Sequence, residues 1–149
     1  MKAAVYHRFG SPDVLELQDI DRPALTGDGV LVRVPASSVN PAEWYAVTGR
    51  PYIARTAMGL RRPKHTVPGA DFAGTVEAVG DAVTDLRTGD PVFGGTNSGA
   101  FAEHVCVSQT VIAKPANLTF EQAAAVLPRP SPPCRASATT DGSGQGTRC

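Results

Sequence analysis

At 149 residues the chain has room for one domain, or one domain with a tail. Its 42% hydrophobic and 19% charged residues are ordinary for a soluble globular protein, and no apolar run is long enough to span a bilayer. Fourteen basic residues against 14 acidic ones leave zero formal charge, which argues against a nucleic-acid partner. The N-terminus, Met1-Lys-Ala-Ala-Val-Tyr-His-Arg8, becomes charged again before a signal-like apolar core forms, so a cytoplasmic location and no membrane partner are expected.

Taken in order, residues 2–8 and 14–20 read as two strands joined by the Gly- and Pro-punctuated turn Phe9-Gly-Ser-Pro-Asp13. The second alternates apolar and polar residues, the pattern of a half-buried strand. Residues 21–29 form a loop. Residues 29–39 make a long β-branched strand in which Pro35 signals an edge or a bulge. At Asn40-Pro-Ala-Glu-Trp-Tyr-Ala-Val-Thr-Gly49 the pattern changes: Asn40 is a good N-cap, Pro41 suits the first helical position and Gly49 ends the segment, predicting a helix over 41–48.

Residues 50–68 read as an irregular loop carrying Arg50, Arg55, Arg61, Arg62 and Lys64, with no acid between Trp44 and Ala70. Such a loop is either a solvated basic surface or a rim that attracts anionic cofactor phosphates. A strand over 72–79, turns at 80–81 and 86–90, and strands at 91–93, 98–107 and 111–114 follow. Residues 118–126 begin a helix, with Thr119 and Gln122 spaced as a capping box. Short strands, glycine turns and little helix predict a mainly β fold, a partly open antiparallel barrel with short helices.

The C-terminal residues differ in kind. Beyond Leu127 no large apolar residue occurs, and residues 129–149 hold three Arg and one Asp. The predicted organisation is a folded domain over 1–127 and a disordered tail over 128–149. Cys106 lies in the body and Cys134 and Cys149 in the tail, which makes neither a disulfide framework nor a metal site.

The motifs Met1-Lys-Ala-Ala-Val-Tyr6, Val39-Asn-Pro-Ala-Glu-Trp44, Val67-Pro-Gly-Ala-Asp-Phe-Ala-Gly-Thr-Val-Glu-Ala-Val-Gly80, Gly89-Asp-Pro-Val-Phe-Gly94 and Gly99-Ala-Phe-Ala-Glu-His104 occur in series. In that order they resemble the medium-chain dehydrogenase/reductase superfamily, over its N-terminal GroES-like substrate domain. The branch they resemble is that of the zinc-independent quinone oxidoreductases. Zinc-containing members place a Cys after the long strand and a Gly-His-Glu in the later motif, where this chain has Asn40 and Gly69-Ala-Asp71. Ala70 cannot ligate a metal, and His104 and Cys106, two apart on one strand, have no third ligand in view. No zinc is therefore expected.

Members of this branch transfer a hydride from NADPH to a quinone or an activated enone. The resemblance implies catalytic roles for Asn40 and Tyr45 and cofactor contacts from Asn40 and Tyr52. An amide can hydrogen-bond a carboxamide or carbonyl, and a phenol can donate to a developing oxyanion. The plainer alternatives are a helix cap for Asn40 and ordinary packing for Tyr45 and Tyr52; Asp71 is expected to orient neighbouring groups.

The family's nucleotide-binding Rossmann domain has no counterpart in this sequence: Gly142-Ser-Gly-Gln-Gly146 follows no strand and carries no phosphate loop. Permissible codons read in a shifted frame from Pro128 continue the preceding helix as an amphipathic segment, which predicts a frameshift at that point. The expected product is a truncated reductase domain, inactive alone, with the family's homodimer open only to a full-length form. Two other readings stay open. One is a non-catalytic binding or assembly module built on the barrel; the other is an intact zinc-free enzyme whose tail is a sequencing artefact.

Overall fold

The computed structural model describes residues 1–108 and 111–126. The expected tail over 128–149, with Cys134 and Cys149, lies outside the described residues, as does the last residue of the expected 1–127 domain. Ten elements follow one another in the chain: β1 (Lys2–Val5), β2 (Glu16–Asp19), β3 (Gly29–Ser38), α1 (Pro41–Thr48), α2 (Arg55–Met58), β4 (Asp71–Val79), β5 (Pro91–Gly95), β6 (His104–Ser108), β7 (Val111–Ala113) and α3 (Phe120–Ala125). Strands β6-β3-β4-β5-β7 form an antiparallel sheet in that order, and β1 pairs with β2 in a separate ribbon. The architecture is mainly β with few short helices, and the sheet does not close into a barrel.

The period-2 alternation of the strands divides the interior into two layers. Phe72 and Val76 of β4 and Val92 of β5 face a cluster with Val30, Val32, Val105 and Val107. Ala73 and Phe93, one position along, face the other way and pack on Ala123 and Ala124 of α3. Where a strand is buried on both faces, neighbouring positions are apolar on both, as Phe72 and Ala73 of β4 and Val92 and Phe93 of β5 show.

β3 is central to the sheet, so Pro35 marks a bulge and not an edge. Arg33 faces Thr75 and Ala36 faces Ala73, leaving Val34 and Pro35 opposite the single residue Gly74. The backbone there is close enough that a Cβ on Gly74 would meet the Arg33 carbonyl oxygen at 2.0 Å. A second bulge places Glu77 between the pairs Leu31–Ala78 and Val32–Val76.

Several expected boundaries shift. The first strand stops at Val5, because the Tyr6 amide donates to the Thr66 carbonyl at 2.8 Å and leaves the ribbon. β2 is shorter than 14–20, its start taken by a single helical turn at Pro12–Val14. It is not half-buried either: Leu17 is 72% exposed because β2 pairs only with β1. The expected strand over 98–107 begins only at His104. Residues 98–103 form a turn whose Phe101 carbonyl accepts from the Ala4 amide and whose Phe101 amide donates to Pro68. The 50–68 loop contains a helical turn at Tyr52–Ala54 and then α2.

Candidate functional site

The pairing of β3 with β4 brings Ser38 opposite Asp71, so the residue that opens α1 arrives beside the start of β4. Asn40 is the N-cap of α1 in extended backbone, Pro41 starts the helix, and Gly49 closes it in the left-handed region (φ 62°) that favours glycine. The Asn40 side-chain amide donates to the Asp71 carboxylate, and more weakly to the Ser38 hydroxyl at 3.4 Å. Ser38 Oγ donates to the same carboxylate at 3.2 Å, and Ser37 Oγ donates to the Asp71 carbonyl at 2.6 Å. Asp71 thus orients the amide that sequence singled out.

Glu43 ties this corner together. It is only 5% exposed. One carboxylate oxygen accepts from the Asn40 amide nitrogen at 2.7 Å, and the other accepts from the Ala70 amide nitrogen at 2.9 Å. The helix start and the Gly69-Ala-Asp71 corner are therefore bound to one buried carboxylate. A buried charge is tolerated when both oxygens are hydrogen-bonded in this way. Sequence reasoning passed over Glu43, although an Asn three residues before a Glu is the spacing of a capping box.

The two tyrosines lie on the outer side of this corner. Tyr45 is half-exposed on α1 and packs edge-on against Trp44, with ring centroids 5.4 Å apart. Tyr52 is exposed, and the Arg55 guanidinium lies 4.8 Å from its ring centroid. Arg55 also sits 4.5 Å from the Phe9 ring centroid and donates to the Gly49 and Thr48 carbonyls. Its charge meets the carbonyl end of α1, which removes it from the expected phosphate-attracting rim. Arg50, Arg61, Arg62 and Lys64 remain exposed and form no ion pair among the described residues. Val39, Ile53 and Leu60 are exposed in the same segment, so residues 39–60 present apolar and aromatic surface outward.

A cavity of about 430 Å³ lies on a different face of α1, between Ala42 and Ala46 and the 65–70 segment. None of Asn40, Tyr45 and Tyr52 lines it. Tyr52 instead lines a shallower cleft of about 420 Å³ with Phe9, Trp44 and Arg55. The three predicted residues therefore do not converge on a single pocket.

A second polar cluster sits on the sheet. His104, 6% exposed, meets the Glu77 carboxylate at 2.9 Å through Nε2, and Arg22 donates to the other Glu77 oxygen at 2.7 Å. The His104 hydrogen bond, aided by the Arg22 charge, holds the Glu77 carboxyl below its ordinary range. No run of sequence joins these three residues; the Glu77 bulge and the β3–β6 pairing bring them together. Among the described residues no group of three His, Cys, Asp or Glu side chains is placed to hold a metal ion. No helix among them is long and apolar enough to cross a membrane.

Comparison with known proteins agrees with this architecture. The family model for the alcohol dehydrogenase GroES-like domain matches residues 26–117. Over 135 residues the chain is 37% identical to the NADPH-dependent alkenal/one oxidoreductase, chloroplastic, of Arabidopsis thaliana, covering 83% of this chain and 33% of that protein. Over 133 residues it is 38% identical to the human quinone oxidoreductase, covering 85% of this chain and 37% of that protein. Among solved structures, the quinone oxidoreductase from Coxiella burnetii superposes with a TM-score of 0.75 at 34% identity, covering 86% of this chain and 41% of that one. The chain thus spans about a third of the length of the curated relatives it matches.

Proposed function

The chain belongs to the alcohol dehydrogenase GroES-like domain family of the medium-chain dehydrogenase/reductase superfamily, and on that premise we propose that it is the substrate-side domain of an NADPH-dependent oxidoreductase acting on quinones or conjugated enones without zinc. The observation that carries this reading is the corner built by Asn40, Asp71 and Glu43. It holds a carboxamide in a fixed orientation at the start of a helix whose outer face presents Tyr45. It does so at the position where zinc-containing relatives would need a metal ligand and this chain has Ala70.

The residues fit the nicotinamide end of NADPH in kind. Asn40 is an oriented amide suited to a carboxamide or carbonyl, and Tyr52 is an exposed aromatic. Bound there, NADPH supplies the hydride. The chain's own part is to position the acceptor, to offer the Tyr45 hydroxyl to the carbonyl oxygen as it gains charge, and to shield the face with Trp44. The described residues include no glycine turn that cradles a pyrophosphate, so the nucleotide half is assigned to a separate domain. That assignment agrees with the apolar surface left open along residues 39–60.

The reading is tested by joining this chain to an NADPH-binding domain and measuring NADPH oxidation with 1,4-benzoquinone and 2-cyclohexen-1-one. Acceptor-dependent oxidation that survives 1,10-phenanthroline is expected. No oxidation with either acceptor, or its loss on chelation, would overturn the reading.

A further inference from the structure

The exposed Tyr52 ring has little to hold it. Among the described residues its hydroxyl makes no hydrogen bond, and its one ring partner is the Arg55 guanidinium, 4.8 Å from the centroid. Arg55 is half-buried and is itself fixed by several groups. The Phe9 ring centroid lies 4.5 Å from the same guanidinium. Nε donates to the Gly49 carbonyl at 2.9 Å, and a terminal nitrogen donates to the Thr48 carbonyl at 3.4 Å. The Gly10 amide donates to the Val47 carbonyl at 3.0 Å, so the turn that carries Phe9 is anchored to the same end of α1. One cation thus links the turn at 9–10, the last turn of α1 and Tyr52.

The link requires an arginine. A guanidinium is planar, so it can lie against a ring while its edge donates N–H bonds in a fixed fork; an ammonium keeps the charge but has neither the plane nor the fork. The approach leaves no slack, since a Cβ on Gly49 would meet Arg55 Nε at 2.6 Å and the Phe9 ring at 2.8 Å. We propose that Arg55 is a positioning residue for the hydride-transfer face. It holds the Tyr52 ring in place against the end of α1, so that the cofactor meets an aromatic surface already ordered instead of ordering it on binding. The proposal rests on the reading of Tyr52 as a cofactor contact. Breaking the link should therefore act on cofactor binding and leave the hydride step alone.

The test combines NMR of the 149-residue chain with steady-state kinetics of the chain joined to an NADPH-binding domain. Arg55→Lys is expected to move the Tyr52 ring resonances of the 149-residue chain while the amides of the five-stranded sheet stay in place. In the joined polypeptide it should raise KM for NADPH roughly three- to tenfold, the worth of one cation–π contact, with kcat unchanged within about twofold. In a Tyr52→Ala background Arg55→Lys should add nothing, because the residue acts through that ring. Phe9→Leu breaks the same link from its other end and should raise the same KM. An unmoved Tyr52 ring, a fall in kcat with KM unchanged, or an equal rise in KM with and without Tyr52 overturns the proposal. A joined parent that oxidises no NADPH overturns the underlying reading and the proposal with it, whereas any of those three results with an active parent overturns the proposal alone.

Discussion

In the five-stranded sheet Val32, Phe72 and Val92 are completely buried, and neighbouring positions alternate between two apolar layers. Across the segment 39–60 most large side chains behave in the opposite way: Val39, Trp44, Tyr45, Tyr52, Ile53 and Leu60 are exposed, while Val47 and the charged Glu43 are buried. The sheet is held by area removed from water, and the flank by a few polar anchors. Glu43 grips the start of α1 and Arg55 covers its end. The difference teaches where function can reside, since a segment fixed by hydrogen bonds is free to turn its aromatic residues outward.

That contrast can be broken from either side. Phe72→Ala should cost about 3–5 kcal/mol, the usual penalty for an emptied aromatic site in a close-packed layer. A urea midpoint within error of the parent would mean that the sheet is not the cohesive half. Glu43→Ala should cost about 2 kcal/mol by leaving the Asn40 and Ala70 amides unpaired, and hydrogen exchange should quicken at those two positions. If Glu43→Ala is silent in both measurements, the flank is held by something other than this carboxylate.

The smallest effect is expected at Glu77. Its carboxyl lies below the ordinary range in the folded state, so it contributes stability above the unfolded carboxylate range, and that contribution is lost as pH falls through the folded value. The difference in thermal midpoint between the parent and Glu77→Gln should therefore be present at neutral pH and close on acidification. A gap that is constant with pH would remove the His104–Glu77–Arg22 cluster from the list of structural anchors.

Legibility in the sequence followed the same divide. The sheet was readable because burial imposes period-2 patterns, and the runs at 29–39 and 72–79 carry them. Strand ends were less so, because Val5 and His104 are set by partners far along the chain, Thr66 in one case and Arg33 in the other. Leu17 shows the limit of alternation, which announces a strand but not whether anything covers it. At the candidate site, Asn40 was legible as a cap with a second role, whereas its tie to Asp71 depends on β3–β4 register. Glu43 carried a readable spacing that was overlooked. The expectation for residues 128–149 lies outside the described residues.

The most direct test of the central claim, that the Asn40 corner belongs to a hydride-transfer face, is the steady-state rate of quinone-dependent NADPH oxidation in a polypeptide that joins this chain, carrying Asn40→Ala, to an NADPH-binding domain. The account predicts a fall in kcat/KM of about 10- to 100-fold, together with a stability loss of only about 1–2 kcal/mol from the lost side-chain hydrogen bond to Asp71. An unchanged kcat/KM in a folded Asn40→Ala protein would contradict it.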